Sequence, residues 1–99
     1  MNETRSILEQ IKKFNPKAII LFGSAARGEM KKDSDLDFLV VVDSNKPFTD
    51  RMRDIRTQIR TNTPLDLIVL TPREARELPK KSTFFSQIMK EGKLLYGRV

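Results

Sequence analysis

Apolar residues recur at Ile7, Leu8, Ile11 and Phe14, the three-and-four spacing of one helix face, with Lys12 and Lys13 turned outward. This predicts a helix over residues 4–14, closed by Pro16. Ala18 to Phe22 is a short apolar run stopped by Gly23, which predicts a strand. Ser24 to about Met30 reads as a short helix capped by Ser24, and Lys31 to Ser34 as a polar turn. Leu36 to Val42 is a continuous run of β-branched and aromatic residues, the pattern of a strand buried on both faces. Pro47 suits the first turn of a helix whose stripe is Met52, Ile55 and Ile59, ended by Asn62-Thr63-Pro64. Leu65 to Leu70 predicts a third strand.

Thr71-Pro72 then reads as an N-cap with proline at the first helical position. That helix should run to about Leu78, where Pro79 would break it. Phe84, Phe85, Ile88 and Met89 mark a helix over residues 82–90, with Gly92 as its C-cap and a last short strand at Leu94–Tyr96. Strands alternating with helices, and no repeat or linker, point to an α/β (α+β) unit over residues 1–99. Its small mixed β-sheet would be flanked by helices.

Composition narrows the chemistry. The 99 residues include no cysteine and no histidine. Disulfides, thiolate nucleophiles, zinc–thiolate sites and the usual general base are therefore excluded. Any catalysis must use carboxylates, hydroxyls, Lys or Arg, and carboxylates favour hard cations such as Mg²⁺. A net charge of +6 suits a phosphate-bearing or acidic partner, or simply solubility. No apolar run approaches the length of a membrane span, and MNETRSILEQ lacks a signal-peptide core. A cytoplasmic location is the resulting expectation.

Two glycines in LFGSAARGEM have the spacing of a phosphate-cradling P-loop, but Glu29 and Met30 stand where Lys and Ser or Thr are needed. In DSDLDFLVVV, Asp35 and Asp37 are two residues apart at the start of a strand. Alternation puts them on one face, roughly 6.5 to 7 Å apart, where they can converge on one cation or straddle two. Asp33 extends the run to D-x-D-x-D, but an EF-hand would need Gly and Glu where Phe38 and Ser44 stand. Asp33 is therefore read as a solvated turn residue. Asp66 is the charged residue inside the third strand, PLDLIVL, and is costly to desolvate unless paired or metal-bound. If the second and third strands are neighbours, Asp66 faces the same site. The residues alone leave alternatives open: a polar turn for Asp35 and Asp37, an ion pair for Asp66, and a capped turn for Gly23-Ser24.

Residues 22–37, FGSAARGEMKKDSDLD, closely resemble the signature of the DNA polymerase beta-like nucleotidyltransferases: Gly-Ser, about ten residues, Asp-x-Asp, and a third acid on a later strand. The Gly-Ser-x-x-Arg-Gly and Ser-Asp-x-Asp details are similar to the minimal nucleotidyltransferase (MNT) subgroup. The resemblance covers about residues 5–97 and implies the nucleotidyltransferase fold. It implies that Gly23 lets the backbone approach a nucleoside triphosphate such as ATP, and that Ser24 donates to its terminal phosphates. It assigns Asp35, Asp37 and Asp66 to two Mg²⁺ ions, with Asp66 completing the metal that activates an acceptor hydroxyl. Arg27 would contact phosphate or pair with Glu29 or a nearby acid.

The resemblance also names a partner, a HEPN-domain toxin, commonly a ribonuclease. Its tyrosine would receive AMP from the MNT protein, which acts as antitoxin in a hetero-complex; a homo-oligomer is the other assembly considered. Two alternatives remain: a catalytically silent module that neutralises its partner by docking, and a basic nucleic-acid-binding domain. For the last, Arg53, Arg56 and Arg60 form a candidate ridge, or a solvated face. Few aromatics are expected to be free for base stacking, since the Phe residues sit on apolar stripes.

Overall fold

The computed structural model describes residues 3–28 and 35–98. The expected turn at Lys31–Ser34 lies outside them. The elements run α1 (Glu3–Lys12), β1 (Ala18–Phe22), β2 (Leu36–Val41), α2 (Phe48–Arg56), β3 (Leu65–Leu70), α3 (Pro72–Lys81), α4 (Thr83–Glu91) and β4 (Lys93–Gly97). The strands form one mixed sheet in the order β3-β2-β1-β4. β1 pairs antiparallel with β2 and β4, and β2 pairs parallel with β3. The expected mixed sheet flanked by helices is the one observed, and the second and third strands are neighbours. No helix among the described residues is long and apolar enough to cross a membrane.

The strand pleat sorts the core onto two faces. Leu21, Phe38, Val40, Leu67 and Val69 point to one, where Ile7 and Ile11 of α1 and Ile55 of α2 cover them. Ile20, Phe22, Leu39, Val41 and Leu70 point to the other, against Ala75 of α3 and Ile88 of α4. β1 and β2 are central and covered on both sides, hence their unbroken apolar runs. Each fully buried large side chain, Phe38 and Leu39 among them, contributes about 1.5–3 kcal/mol.

Several boundaries differ from the sequence reading. Residues 24–28 do not form the expected capped helix. Gly23 to Gly28 is a succession of turns, closed by Arg27 N–H to the Gly23 carbonyl (3.2 Å) and Gly28 N–H to the Ala25 carbonyl (3.3 Å). Met30 lies outside the described residues. α2 stops at Arg56: Thr57 gives both its N–H (3.0 Å) and its hydroxyl (2.9 Å) to the Arg53 carbonyl, and the Gln58 and Ile59 N–H groups then bond three residues back, to Ile55 and Arg56. Ile59 is still buried, carried inward by the following turns. The Arg60 backbone is clamped from both sides by the Gln10 side chain at 2.7 Å. Arg60 therefore does not continue the helical row of Arg53 and Arg56, and the expected three-arginine ridge does not form on one helix.

Pro79 does not break α3 but lies inside it. At the eighth of ten positions it removes one late hydrogen bond. The helix is then closed by Ser82 N–H to the Leu78 carbonyl at 2.9 Å, with Lys80 and Lys81 favourably placed at its negative end. Ser82 at once caps α4. Gly92 ends α4 as expected but in an extended conformation. It is small because a Cβ there would meet Ile20 Cγ2 at 2.5 Å and the Ile88 carbonyl at 2.6 Å.

The α2 and α3 ends are tied by a charge pair that the hydrophobic pattern did not reveal. Arg51 is 4% exposed and grips Glu74 with two bonds of 2.7 and 3.1 Å. Glu74 also closes a capping box with Thr71, accepting from its backbone N–H at 2.9 Å while donating its own N–H to the Thr71 hydroxyl at 3.2 Å.

Candidate active site

β2 and β3 run parallel with Asp37 directly beside Asp66. Asp37 shares its parity with Leu39 and Val41, and Asp66 with Ile68 and Leu70, so both carboxylates stand on the sheet face covered by α3 and α4. Across β2, Asp37 pairs with Phe22 of β1, and Gly23 follows immediately. Gly23 has φ of 73°, and a Cβ there would collide with Asp37 Oδ2. The tight corner and the acid are therefore one structure, because only a residue without a side chain lets the Asp37 carboxylate lie against this backbone.

Burial pushes the Asp37 carboxyl up to about 6. A hydrogen bond to Asp66 and the negative charges of Asp66 and Asp35 add to the rise, against the opposing pull of Arg27. Asp35 is exposed just before β2, one pleat period from Asp37. Asp66, expected to be desolvated, is exposed instead: it lies at the second residue of an edge strand, with one flank open. It has no need of the ion pair considered for it.

The acids form the floor of a cavity of about 850 Å³. Gly23, Arg27, Asp37 and Asp66 line it; Ser24 is half-buried in the turn and Asp35 lies at the rim of β2, and neither belongs to the wall. Arg27 reaches over the acid side, its Nη1 4.0 Å from Glu91 Oε2 of α4. This is the ion-pair alternative met by a different acid than Glu29, which lies outside the described residues.

Phe84 was missed by the pattern, which assigned every Phe to a core stripe. It is 54% exposed and lines the cavity. Phe22 and Phe85 hold its ring edge-on, with centroids 6.4 and 5.2 Å away. Two adjacent Phe residues on one helix were the available signal, since both cannot face the core equally.

Among the described residues no group of three acids is drawn together into a ready-made cation cage. The donor set still fits a hard divalent cation. Asp37 and Asp66 stand side by side on adjacent strands, and burial together with the charges of Asp66 and Asp35 makes the ionised Asp37 carboxylate costly. A cation there would relieve that repulsion. Asp37 and Asp66 would hold it, with Asp35 reaching in from the start of β2.

A parallel pair of strands presenting two carboxylates beside a glycine corner, at the wall of a nucleotide-sized cavity, suits a nucleotide-transferring α/β enzyme. The chain belongs to the family Polymerase beta, Nucleotidyltransferase, whose model matches residues 2–99, and it is a nucleotidyltransferase. It is 33% identical over 107 aligned positions to the candidate protein adenylyltransferase MJ0604 of Methanocaldococcus jannaschii, covering 97% of this chain and 100% of that one. It is similar in structure to a candidate nucleotidyltransferase from Sulfolobus solfataricus (TM-score 0.69, 25% identity, 97% of this chain and 81% of that one). Its fold is also similar to that of a toxin–antitoxin complex solved with AMP-PNP (TM-score 0.65, 24% identity, 99% and 75% covered).

Proposed function

We propose that this nucleotidyltransferase transfers AMP from ATP to a hydroxyl on a protein, and that the acceptor is a tyrosine of a HEPN-type toxin for which the chain is the antitoxin. The observation that carries the reading is the Asp37–Asp66 register pair pressed against Gly23 at the cavity floor. The name of MJ0604, a protein adenylyltransferase, supports AMP and a protein acceptor. The toxin–antitoxin complex with AMP-PNP has the same fold and supports the toxin partner and the nucleotide.

The chemistry is in-line: the acceptor oxygen bonds to the α-phosphorus, and the α–β bridging oxygen leaves with pyrophosphate. Mg²⁺, when bound, offsets charge on the attacking and leaving oxygens. The residues of the chain do the rest. Asp37, Asp66 and Asp35 would hold the cations. Gly23 leaves room for the triphosphate beside the backbone, with Ser24 donating to its terminal oxygens and Arg27 adding positive charge. Asp66, exposed on the open flank of β3, accepts the proton of the acceptor hydroxyl. Phe84 offers an apolar ring face to the base.

The test is incubation with α-³²P-labelled ATP, Mg²⁺ and a HEPN-domain protein taken from the neighbouring reading frame where one is present. The expected result is label on the HEPN protein that disappears with Asp37→Asn. Absence of label with the unaltered chain, together with full inhibition of the toxin by Asp37→Asn, would instead establish neutralisation by docking.

A further inference from the structure

The polar groups of an edge strand point alternately toward its partner and away from it. Leu36 N–H bonds to the Pro64 carbonyl and Val42 N–H to the Leu70 carbonyl, both at 2.9 Å. Even-numbered residues of β3 therefore direct their N–H and C=O groups at β2. The odd-numbered Leu65, Leu67 and Val69 direct theirs outward. Among the described residues no backbone or side-chain hydrogen bond reaches the outward groups of Leu65 and Leu67.

This edge is part of the active-site cavity. Four successive residues, Leu65, Asp66, Leu67 and Ile68, line it. Their side chains alternate between the faces of the sheet, so the cavity wraps around the edge. On one side stand the acids and Phe84. On the other stand Arg53 and Arg56 of α2. Arg53 is 69% exposed, and its partner within the chain is Asp50 at 3.6 Å, an exposed pair worth little against a better one.

The geometry points to β3 as the docking edge for the acceptor, an extended acidic segment of the modified protein that adds to the sheet as a fifth strand. The inference rests on the transfer reading above and supplies its acceptor. A strand paired with Leu65 and Leu67 lies about 4.8 Å from β3. Its residue opposite Asp66 must project on the same face as Asp66, about 5 Å away between Cβ atoms. A hydroxyl residue at that register is delivered to the acid side. Its two neighbours project onto the other face, toward Arg53 and Arg56. The preferred acceptor is therefore a tyrosine or serine flanked on both sides by acidic residues. Backbone pairing supplies the affinity and the flanking charges supply the selectivity.

The outward N–H of Leu65 gives a clean perturbation, because proline at the first position of an edge strand removes that donor without removing a ladder bond. The probe is the peptide acetyl-Val-Glu-Tyr-Glu-Val-amide, compared with acetyl-Val-Lys-Tyr-Lys-Val-amide, titrated by amide NMR without ATP into the isotope-labelled protein. The inference expects the Leu65 and Leu67 amide signals to move downfield and gain exchange protection, with the acidic peptide bound at least tenfold more tightly. Leu65→Pro should weaken the peptide at least tenfold, Leu65→Ala much less, and ATP binding should be retained in both. Arg53→Glu with Arg56→Glu should invert the peptide preference even if Leu65→Pro proves unstable.

Peptide affinity unchanged in Leu65→Pro, signals that move only elsewhere, or no binding at all would overturn it. Adding labelled ATP and Mg²⁺ separates the two readings. A peptide that docks on β3 but is never labelled would leave the edge assignment standing and sink the transfer reading. Label that still reaches the tyrosine in Leu65→Pro would do the reverse.

Discussion

Two pairs of charged side chains stand across the core from each other, and they are built on opposite principles. Arg51 and Glu74 are of opposite sign, joined by two short bonds, and Glu74 is satisfied again by the Thr71 cap. Arg51 holds the Glu74 carboxyl below its usual range, ahead of the burial that opposes it. Asp37 and Asp66 are of like sign, set side by side by the register of a parallel ladder, with Asp35 adding to the repulsion. The first pair closes the fold. The second raises its energy, a cost that a bound cation would offset. A like-charge pair that register enforces is what a binding site looks like before its ligand, and it distinguishes this corner from the rest of the charged surface.

Breaking the contrast should have its largest effect on turnover. Asp66→Asn removes the proposed proton acceptor and should lower AMP transfer on the order of 10²- to 10⁴-fold, read as label incorporated from ATP. The same substitution should leave the metal-free protein equally or more stable in urea, while weakening Mg²⁺ binding.

Arg51→Ala should behave in the opposite sense. It leaves Glu74 without its partner and opens space beneath Phe48, whose ring lies 5.7 Å from the guanidinium. The expected loss is about 2–3 kcal/mol, at or below the value for a fully buried pair because Glu74 is partly exposed. Equilibrium urea unfolding measures it. If Asp66→Asn cost as much as Arg51→Ala, the acid pair would be structural.

Effects on the nucleotide come next. Phe84→Ala should weaken ATP about tenfold, the scale of losing one base–aromatic stack, and leave tripolyphosphate binding unchanged. Equal weakening of both ligands would place Phe84 against phosphate or acceptor instead.

The smallest effect is in the pH dependence, and the two pairs have opposite signs. Asp37 titrates near 6 in the folded chain and about 3.8 as its ordinary value. Between these the folded state binds more protons, so stability falls as pH rises from about 4 through 6. Glu74 is shifted down, so its contribution is complete above the ordinary carboxylate range and is lost as pH falls through its lowered value. Metal-free urea midpoints at pH 4, 5, 6 and 7 should therefore decline toward 7. Asp37→Asn should flatten the upper part of that profile and leave the acid limb intact.

Much of the fold was legible because β1 and β2 are buried on both faces, and an unbroken apolar run has few other readings. Asp37 at the start of β2 was legible from the unbroken apolar run that follows it. That Asp66 stands beside Asp37 was not, because it depends on β3 being the neighbour of β2, a long-range fact. Burial of a charge escaped the pattern for the same reason: Arg51 is enclosed by α2, α3 and the Thr71 cap, and no local feature of FTDRMRDIR separates it from Arg53. Phe84 shows the converse, a helical apolar residue left open because Phe85 and Ile88 already fill the contact with the sheet. The misplaced ends came from reading Pro64 and Pro79 as the stops: α2 instead tightens into bonds three residues back after Thr57, and in α3 a single lost bond is tolerated.

The most direct test of the central claim is the Mg²⁺-induced change in unfolding midpoint for the unaltered chain and for Asp37→Asn. The account predicts a clear gain in the unaltered chain. It predicts a variant that starts out more stable without metal and gains little when Mg²⁺ is added. A variant that begins less stable, or that gains as much as the parent, would contradict the assignment of Asp37 and Asp66 as the cation seat.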